Sequence, residues 1–297
     1  MTPAYRFAPS SNGLLHLGHA YSAILNRELA LRNGGRLLLR IEDIDPERCR
    51  PEFEAAICED LRWLGLEWEE PVLRQSGRFD AYRRAVKELE ARGLVYPAFL
   101  SRQEASRIVA EFEQGGDRWP RDPDGVPLFP DRDRNRPPAE TAARIAAGEA
   151  HTLRLDMEKA IAAAGPLFWR ELGEGPGGER GIVPADPSLW GDVAIARKDV
   201  PTSYHLAVVV DDAAQGITEI VRGQDLFAAT AVHRLLQTLL GLPEPAYRHH
   251  RLIRDGQGRK LSKSDNATGL GALRDSGATP ADIRRMIGLD DPSDFPL

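Results

Sequence analysis

The hydrophobic pattern near the start of the chain predicts a strand, a loop and a helix in direct succession. Residues 5–13 form a short apolar run followed by the loop formers PSSNG, and apolar residues then recur at helical spacing over 16–31. A buried strand is expected at 36–41, and Asp45 followed by Pro46 indicates the cap and first turn of another helix. This order is that of a βαβ unit.

The middle of the chain is more polar and less periodic. Ser101 with Glu104 forms a capping-box pattern before a helix. The stretch 119–138 is rich in Pro, Asp and Arg, and 173–181 reads GEGPGGERG. We predict an irregular connection for the first of these stretches and a loop for the second.

Buried-strand patterns return in the last third of the chain, at 206–210 and 217–221. Asp225 is expected to cap a helix that runs to about residue 240, and a last helix follows Thr279. Strands separated by helices at both ends, with a polar insertion between them, indicate an α/β fold: a parallel-sheet domain interrupted by a small subdomain.

The composition is that of an ordinary globular protein. The 297 residues are 42% hydrophobic, and a net charge of -6 argues against a protein that coats nucleic acid non-specifically. Residues 248–263 carry a basic cluster, whose commonest explanation is a solvated face. No leader and no membrane-spanning stretch is visible, so we expect a cytoplasmic protein without membrane contact. Cys49 and Cys58, predicted on one helix, are too far apart for a disulfide and indicate buried small residues.

The pattern HLGH at 16–19 stands at the start of the first predicted helix. A helix N-terminus offers unpaired N–H groups and a positive dipole, and Gly18 would let a nucleotide approach the backbone without a Cβ clash. The imidazoles of His16 and His19 could donate to phosphate oxygens as charge builds in a transition state. Alone the pattern is weak, because two histidines on a helix are more often structural.

A second pattern, KLSKS at 260–264, follows a loop that contains Gly256 and Gly258. Lys260 and Lys263 with two serines suit a phosphate clamp, although lysine-serine loops are common on protein surfaces. The two patterns occur together in this order about 240 residues apart, which argues against a purely structural explanation of both.

With both patterns in place, the sequence resembles the class I aminoacyl-tRNA synthetases, whose signatures are written HIGH and KMSKS. The runs RFAPS at 6–10 and RIEDIDPER at 40–48 are similar to the glutamyl group of that family. The resemblance implies an α/β, Rossmann-type parallel-sheet catalytic domain with an inserted small subdomain. The expected limits are 1–97 and 186–266 for the catalytic domain, 98–185 for an acceptor-binding-like insertion, and 267–297 for a short C-terminal helical segment.

Carried over by position, the family's roles divide the site between glutamate and ATP. The resemblance implies that glutamate is bound by Arg6, Phe7, Ala8, Pro9, Ser10, Glu42, Tyr204 and Arg222. It implies ATP binding by His16, Gly18, His19 and Lys263, catalytic roles for His16, His19, Lys260 and Lys263, and Mg²⁺ as the companion of ATP.

The chemistry of the residues supports a glutamate pocket independently. Glutamate has two carboxylates and one ammonium, so a selective pocket needs at least two cations and one anion, which Arg6, Arg222 and Glu42 provide. Each of them alone is more commonly part of a surface salt bridge. Which arginine meets which carboxylate stays open; the family suggests Arg6 for the side-chain carboxylate and Glu42 for the α-ammonium.

The insertion departs from the family in one respect. Relatives usually carry a zinc site of pattern Cys-x-Cys and then Tyr-x3-Cys, and the matching positions are Ala98, Leu100, Phe129 and Asp133. Asp133 alone cannot hold a tetrahedral zinc ion, so zinc is not expected. Packing must hold the insertion instead, with Trp119 and Phe129 as candidates.

Within the glutamyl group, the short chain is similar to the glutamyl-Q tRNA(Asp) synthetases. This implies a monomer, without an anticodon-reading domain, that activates L-glutamate with ATP and transfers it to queuosine in the anticodon stem-loop of tRNA(Asp). Two alternatives are a compact glutamyl-tRNA synthetase that charges a 3′ end and a non-catalytic RNA-binding paralogue. Small-molecule nucleotidyltransferases also use an HxGH turn, but they give no role to Arg6, Glu42, Tyr204 and Arg222.

Overall fold

The computed structural model describes residues 2–254, 269–291 and 295. Its strands are β1 Ala4–Phe7, β2 Arg36–Ile41, β3 Glu69–Arg74, β4 Val95–Ala98, β5 Thr152–Leu155, β6 Leu167–Glu171, β7 Gly181–Ala185, β8 Ala194–Arg197, β9 Glu219–Gly223 and β10 Ala246–His250. Its helices are α1 Leu17–Arg32, α2 Pro51–Trp63, α3 Phe79–Ala91, α4 Arg102–Glu113, α5 Pro138–Ala146, α6 Met157–Ala164, α7 Tyr204–Ala214, α8 Thr230–Leu239, α9 Leu270–Asp275 and α10 Pro280–Met286.

A parallel sheet and a mixed sheet, in which only β7 is antiparallel, form the centre of the molecule. Strand β2 pairs in parallel with both β1 and β3, and β10 pairs in parallel with both β9 and β6. The two sheets meet where the backbone N–H of Thr218 donates to the carbonyl of Ala4 at 3.0 Å and the N–H of Ala4 donates to Thr218 Oγ1 at 2.9 Å. The predicted α/β fold with a Rossmann-type parallel sheet is confirmed.

The predicted strand, helix and strand at the start of the chain form β1, α1 and β2. Helix α1 buries Ile24 and Leu25 against Tyr5 and Leu39 of the two strands. Fully burying a side chain of this size stabilises the fold by about 1.5–3 kcal/mol. This packing holds the N-terminus of α1 near the carboxyl ends of β1 and β2, where ligands bind in open α/β sheets.

Residues 206–210 are helical, so the strand predicted there is wrong. Helix α7 begins after Ser203, whose hydroxyl accepts a hydrogen bond from the backbone N–H of Leu206 at 3.4 Å, and it packs against α3 and α8. A helix surrounded by protein carries apolar residues on most sides, so its sequence cannot be told from a buried strand by periodicity. Its buried residues are Leu206, Ala207, Val208, Val209, Asp211 and Asp212.

The helix predicted to start at Asp45 and Pro46 begins later. Asp45 pairs instead with Arg48, at 2.9 Å between Oδ2 and Nε. Helix α2 starts at Pro51, so the preference for proline in the first helical turn is met there. Cys49 therefore lies outside the helix that holds Cys58, and both thiols are only partly buried.

The helix predicted to follow Asp225 is also displaced. A 3₁₀ turn first occupies Gln224–Leu226, so α8 begins only at Thr230. Other caps are confirmed: the predicted capping box at Ser101 and Glu104 is formed, and Thr279 caps α10.

The segment between the two halves of the parallel sheet has its own antiparallel sheet, in the order β4-β5-β8. The stretch 119–138 contains one isolated bridge and no strand, as predicted. The loop predicted at 173–181 connects β6 to β7, except that Gly181 already belongs to β7. Strands β6 and β7, inside the predicted insertion 98–185, join the sheet of β9 and β10. The predicted domain limits remain a prediction. In the part of the chain that the structure describes, no helix is long and apolar enough to cross a membrane.

Candidate active site

A cavity of about 450 Å³ opens at the carboxyl ends of β1, β2 and β9, beside the N-termini of α1 and α7. Ligands bind at this end of the strands in open parallel sheets. Its walls include all predicted site residues that the structure describes: Arg6, Phe7, Ala8, Pro9, Ser10, His16, Gly18, His19, Glu42, Tyr204 and Arg222. Lys260 and Lys263 lie outside the described residues.

The two histidines of HLGH close the N-terminus of α1. His16 Nδ1 accepts a hydrogen bond from the backbone N–H of Gly18 at 3.1 Å, and His19 Nδ1 accepts one from the backbone N–H of His16 at 3.2 Å. The two ring centroids are 3.9 Å apart. Because both rings accept at Nδ1, the neutral form of each carries its proton on Nε2 and keeps one donor there.

The His16 ring explains why glycine stands at position 18, which the sequence alone did not indicate. A Cβ at this position would lie 3.0 Å from His16 Cε1 and 3.2 Å from His16 Nδ1. Such contacts are tighter than nearly all real Cβ contacts, so glycine here makes room for the His16 ring. Close approach of a nucleotide to this glycine remains a prediction.

On one side Arg6 and Glu42 line the cavity, and Arg40 and Asp212 pair with them from behind; these four residues are named the carboxylate wall. Arg6 Nε donates to Asp212 Oδ1 at 3.0 Å, and Arg40 Nη1 donates to the same oxygen at 2.6 Å. Arg40 Nη2 donates to Glu42 Oε1 at 3.1 Å. Arg40 is fully buried, so little water screens these pairs. Both arginines of this wall therefore have anionic partners within the protein.

Burial and the two arginines shift the pKa values of the carboxyl groups of this wall in opposite directions. Burial raises the pKa of Asp212, but Arg40 and Arg6 outweigh burial and hold that pKa below its usual range. Burial dominates at Glu42 and raises its pKa, although Arg40 and Arg6 oppose the rise. A further cation beside Glu42 would favour its ionised form.

On the other side Arg222 lines the cavity, and Thr230, His233 and His249 contact it from behind; these four residues are named the histidine wall. Arg222 Nε donates to His249 Nε2 at 3.2 Å, and Arg222 Nη1 lies 3.0 Å from His233 Nδ1. Arg222 Nη2 donates to Thr230 Oγ1 at 2.8 Å and to the carbonyl of Leu226 at 3.1 Å. Four neutral acceptors thus hold the guanidinium.

Arg222 is 5% exposed and makes no ion pair within residues 2–254, 269–291 and 295. Its Cζ lies 5.3 Å from the centroid of the Tyr247 ring, a cation–π contact that compensates part of the buried charge. A buried cation without an anion is costly to keep. The histidine wall is therefore the part of the cavity that favours an incoming anion most strongly.

The histidines of this wall are neutral at neutral pH. Burial lowers the pKa of His233, and the Arg222 charge lowers it further. Burial also lowers the pKa of His249, although its hydrogen bond to Glu171, at 2.6 Å, opposes the shift. His205, whose Nδ1 lies 3.2 Å from His233 Nε2, has a pKa lowered to about 4 by burial and by Arg222.

Tyr204 stands between the two walls, at the first position of α7. Its ring centroid lies 5.7 Å from that of His233. Burial raises the pKa of Tyr204 to about 12, although Arg222 opposes the rise. The phenol therefore stays protonated and can donate a hydrogen bond to a ligand.

Sequence reasoning missed several residues that build the site. Arg40 lies within the recognised run RIEDIDPER, but it received no role. Asp212 ends the apolar run that was interpreted as a strand, and two aspartates at such a place are a sign of buried charge. His249 belongs to the basic cluster 248–263 that was interpreted as a solvated face, yet it is 2% exposed. Nothing in the sequence pattern singled out Glu171 or His233.

A second cavity, of about 990 Å³, adjoins the first and shares Tyr204 in its lining. The β4-β5-β8 sheet, α4 and the irregular stretch form most of its walls. Its lining contains the arginines Arg48, Arg102, Arg121, Arg154 and Arg197.

The zinc ligands of the glutamyl group do not fit the residues of this chain. Asp133 accepts hydrogen bonds from the backbone N–H groups of Phe99 at 2.7 Å and Leu100 at 3.3 Å, and it pairs with Arg136. The Phe129 ring lies under Arg154, 3.4 Å from Cζ. Both side chains are thus engaged in other contacts, and over the described ranges no three His, Cys, Asp or Glu side chains could hold a metal ion.

A family model described as the catalytic domain of class I tRNA synthetases (E and Q) matches residues 4–290. A Rhodobacter capsulatus protein named Glutamyl-Q tRNA(Asp) synthetase is 49% identical over 288 residues, which are 96% of this chain and 99% of that protein. A Glutamate–tRNA ligase of Synechococcus is 39% identical over 97% of this chain and 58% of its own length. The crystal structure of a glutamate tRNA ligase from Elizabethkingia meningosepticum superposes with a TM-score of 0.80 at 28% identity, over 97% of this chain and 61% of that one.

The chain thus spans nearly the whole first relative and less than two thirds of the other two. With its parallel α/β sheet and the HLGH turn at the cavity, the chain belongs to the class I tRNA synthetases, in the family defined by the E and Q catalytic domain.

Proposed function

We propose that this ligase of the aminoacyl-tRNA synthetase type activates L-glutamate with ATP and transfers it to queuosine in the anticodon of tRNA(Asp). The net charge of the cavity supports the first part of this proposal, the binding of glutamate. Arg6 and Arg222 line the cavity with Glu42, and Arg40 and Asp212 behind them offset each other. Arg251 and Asp225 in the lining also offset each other, which leaves one positive charge when Glu42 is ionised. Glutamate carries one net negative charge and balances it.

The same balance supports discrimination against glutamine. We assign the side-chain carboxylate to Arg222 rather than to Arg6, the residue that the family resemblance suggests, because the Arg6 charge is already shared with Asp212. A neutral amide in place of that carboxylate would leave Arg222 buried without an anion among the described residues. A site built to pair a charged group rejects a ligand that lacks it. The α-ammonium would lie beside Glu42, whose pKa is raised and whose ionised form would gain most from a cation.

The first chemical step would be in-line attack of the glutamate α-carboxylate on the α-phosphate of ATP. Pyrophosphate leaves with the bond electrons, and glutamyl-adenylate remains. The N-terminus of α1 and the Nε2 donors of His16 and His19 can stabilise the negative charge that develops on the phosphate. Mg²⁺ bound to the phosphates would add to this stabilisation. Lys263, outside the described residues, keeps its predicted place as a phosphate ligand.

Two observations support an RNA acceptor. The second cavity shares Tyr204 with the first, so an adenylate in the first cavity lies within reach of a group bound in the second. Arg48 and Arg121 in its lining pair with Asp45 and Glu113. The exposed Arg102 and Arg197, by contrast, make no ion pair among the described residues and suit a nucleic-acid backbone. The relative that this chain matches over nearly the full length of both is named for the glutamyl-Q modification of tRNA(Asp).

Amino-acid-dependent ATP–pyrophosphate exchange without tRNA tests the activation step. We expect exchange with glutamate and not with glutamine. Exchange with a different amino acid alone would overturn the glutamate assignment, and no exchange with any amino acid would favour the RNA-binding paralogue.

A labelling experiment tests the acceptor. Labelled glutamate should attach to tRNA(Asp) that contains queuosine, also after its 3′ adenosine has been removed, and should not attach to the same tRNA without queuosine. Labelling that disappears on 3′ trimming and ignores queuosine would establish the alternative, a compact enzyme that charges the 3′ end. Light scattering during the same work would test the expected monomer.

A further inference from the structure

We propose that Glu171 and His249 are positioning residues that orient Arg222 toward a substrate carboxylate, an inference that rests on the proposed function of Arg222 in glutamate binding. Glu171 ends β6, Arg222 lies in β9 and His249 lies in β10. The three side chains form one buried chain across the sheet, with exposures of 3%, 5% and 2% respectively. Neither Glu171 nor His249 lines the glutamate cavity.

The donor and acceptor roles in this chain follow from the groups themselves. A guanidinium has only donors, so His249 Nε2, 3.2 Å from Arg222 Nε, must accept. The neutral ring therefore carries its proton on Nδ1, which lies 2.6 Å from Glu171 Oε2. A carboxylate is the partner that accepts this proton best, so Glu171 selects the tautomer that Arg222 requires.

The Glu171 carboxylate is itself held firmly. Its Oε1 accepts the backbone N–H groups of His249 at 2.8 Å and Gly173 at 2.9 Å, and its Oε2 also accepts the indole N–H of Trp169 at 3.2 Å. Burial raises the pKa of Glu171, but the hydrogen bonds from His249 and Gly173 outweigh burial and keep that pKa below its usual range. The carboxylate is therefore ionised and cannot rotate freely.

The hydrogen bonds from Arg222 through His233 have the same direction, with the guanidinium as the donor. His233 Nδ1, 3.0 Å from Arg222 Nη1, must also accept, which places the His233 proton on Nε2. That nitrogen lies 3.2 Å from His205 Nδ1, which accepts in turn. Arg222 is thus surrounded by neutral lone pairs, which fix its direction without cancelling its charge.

A carboxylate in direct contact with Arg222 would give equal rigidity, but it would compete with the substrate for the same charge. Placing the imidazole of His249 between Glu171 and Arg222 separates the two functions. The anion sets the tautomer, and the neutral ring holds the cation. The triad of serine hydrolases shows the same use of a buried carboxylate to select a histidine tautomer.

The substitution Glu171→Gln tests this arrangement, because it keeps the size of the side chain and removes the charge. Only one atom of the amide can accept. We expect the oxygen to keep the two backbone N–H groups, at 2.8 and 2.9 Å, because these bonds are shorter than that of the Trp169 indole at 3.2 Å; the amide NH₂ then faces His249 Nδ1, and the indole N–H loses its acceptor. Nδ1 must then accept, so the ring proton moves to Nε2 and opposes the N–H of Arg222. We expect the KM for glutamate to rise at least about tenfold, the scale of one lost charged hydrogen bond, and the KM for ATP to stay within about twofold.

Trp169→Phe is the matched control. It removes another hydrogen bond to the same oxygen of Glu171, keeps an aromatic ring in the core, and leaves the carboxylate charge in place. We expect a KM for glutamate within about threefold of the unmodified enzyme, a difference below the energy of one hydrogen bond. A rise equal to that of Glu171→Gln would overturn the positioning role in favour of a merely structural one.

Nitrogen-15 NMR of His249 gives a readout that does not depend on turnover. The unmodified protein should show the Nδ1–H tautomer and Glu171→Gln the Nε2–H tautomer; an Nε2–H tautomer in the unmodified protein overturns the proposal even if the variant fails to fold. Glutamate exchange that is normal and equal in the unmodified protein and a folded Glu171→Gln overturns the positioning role alone. No exchange and no calorimetric glutamate binding by the unmodified protein would instead remove the proposed function.

Discussion

The two walls of the cavity hold their arginines in opposite ways. In the carboxylate wall, Arg6 and Arg40 share the anion of Asp212, with the closest pairs at 3.0 and 2.6 Å. In the histidine wall, Arg222 is bound by the lone pairs of two neutral imidazoles, a hydroxyl and a carbonyl. Both walls hold a buried guanidinium by hydrogen bonds, although Arg40 Nε has no partner among the described residues. Within the same residues, only the second wall leaves its positive charge without an anion.

The two ways of holding an arginine have different consequences for the stability of the fold and for the binding of a ligand. A buried ion pair keeps its partners in place, and removing one partner is strongly destabilising because it leaves an unpaired charge. A buried cation held by neutral acceptors is costly for the fold, but its charge remains available to a ligand. We therefore expect substitutions in the carboxylate wall to act first on stability, and substitutions in the histidine wall to act first on glutamate.

The largest effect on stability is expected from Asp212→Asn. The change leaves the buried guanidinium groups of Arg6 and Arg40 without their shared anion, and breaking a buried pair costs about 3–5 kcal/mol. The free energy of unfolding, measured by urea denaturation, should fall by about this amount. The KM for glutamate should rise as well, because Arg6 loses the partner that orients it.

Asp211→Asn is the matched control for that experiment. Asp211 is equally buried and adjacent in sequence, but it accepts from Tyr82 at 2.6 Å and pairs with Arg78 at 3.0 Å, away from Arg6. It should lower the free energy of unfolding and leave the KM for glutamate unchanged. The same rise in KM for both variants would mean that the carboxylate wall affects the pocket only through general stability.

The next largest effect is expected from Arg222→Gln, on catalysis. Removing the uncompensated charge should lower kcat/KM for glutamate in pyrophosphate exchange by roughly a hundredfold to a thousandfold, or about 3–4 kcal/mol. The preference for glutamate over glutamine should shrink at the same time. The free energy of unfolding should change by less than about 1 kcal/mol, because the variant no longer buries an unpaired cation.

Arg222→Lys sharpens this test. It keeps the charge but cannot reproduce the fork that reaches His233, His249 and Thr230 together, so an intermediate kcat/KM is expected. A loss of unfolding free energy in Arg222→Gln as large as that in Asp212→Asn would contradict the distinction between the walls.

The sequence predicted one wall better than the other, for physical reasons. Arg6 lies in β1 and Glu42 directly follows β2, so the clear periodicity of the β1–α1–β2 unit placed both residues in the fold, and the family resemblance supplied their role. Asp212 could not, because α7 is buried on most sides and its apolar run does not differ from that of a strand. Family resemblance, rather than periodicity, brought Arg222 and Tyr204 into the same site.

The residues behind Arg222 were beyond sequence reasoning. Glu171 and His249 are 78 residues apart and meet only because β6 pairs with β10. That pairing joins a strand of the predicted insertion to the sheet of the catalytic half, which no local pattern indicates. A histidine within a basic run is also an ordinary surface feature, and only the register of β10 shows that His249 points inward and is buried.

As the pH falls, the free energy of unfolding should respond to the buried histidines of the site before it responds to Asp212. His250, beside His249 in β10, faces the Tyr21 ring and lies near Arg251 and Asp225, and burial lowers its pKa to about 4. A folded pKa below the unfolded value of about 6.5 means that the stabilisation is present above pH 6.5 and is lost as the pH falls toward 4. The lowered pKa of Asp212 places its loss at lower pH, below about 4.

The measurement is urea denaturation between pH 7 and 4. His250 alone should account for about 2–3 kcal/mol of lost unfolding free energy over this range, and His233 acts in the same direction. Glu42 and Asp60, whose pKa values burial raises, act in the opposite direction and reduce the total. Because Glu42 and Asp60 offset the loss, the decisive quantity is the difference in unfolding free energy between the unmodified protein and His250→Gln, which should change by about 2–3 kcal/mol between pH 7 and 4. A difference that stays constant over this range would contradict the neutral, buried state of His250.

Asp133, in the segment between β4 and β5, also pairs with an arginine, but that arginine is more exposed to water than those of the carboxylate wall. It is 4% exposed, it accepts two backbone N–H groups, and it pairs with Arg136. Burial raises its pKa, but the hydrogen bonds from Arg136 and from the Phe99 and Leu100 backbones outweigh burial and keep the pKa below its usual range. The Arg136 side chain is 21% exposed, whereas Arg40 is fully buried, so water screens this pair more effectively.

The smallest effect is therefore expected from Asp133→Asn. The amide oxygen can still accept the backbone N–H groups, and only the partly screened charge is lost, so the free energy of unfolding should fall by about 1–2 kcal/mol. The KM for glutamate should not change, because Asp133 does not line the first cavity. Since Ala98, Leu100 and Phe129 offer no zinc ligands, EDTA should leave the melting temperature of the unmodified protein and of the variant unaltered. A melting temperature that falls with EDTA and returns with added zinc would show that a metal ion, rather than the Asp133 contacts, holds this segment together.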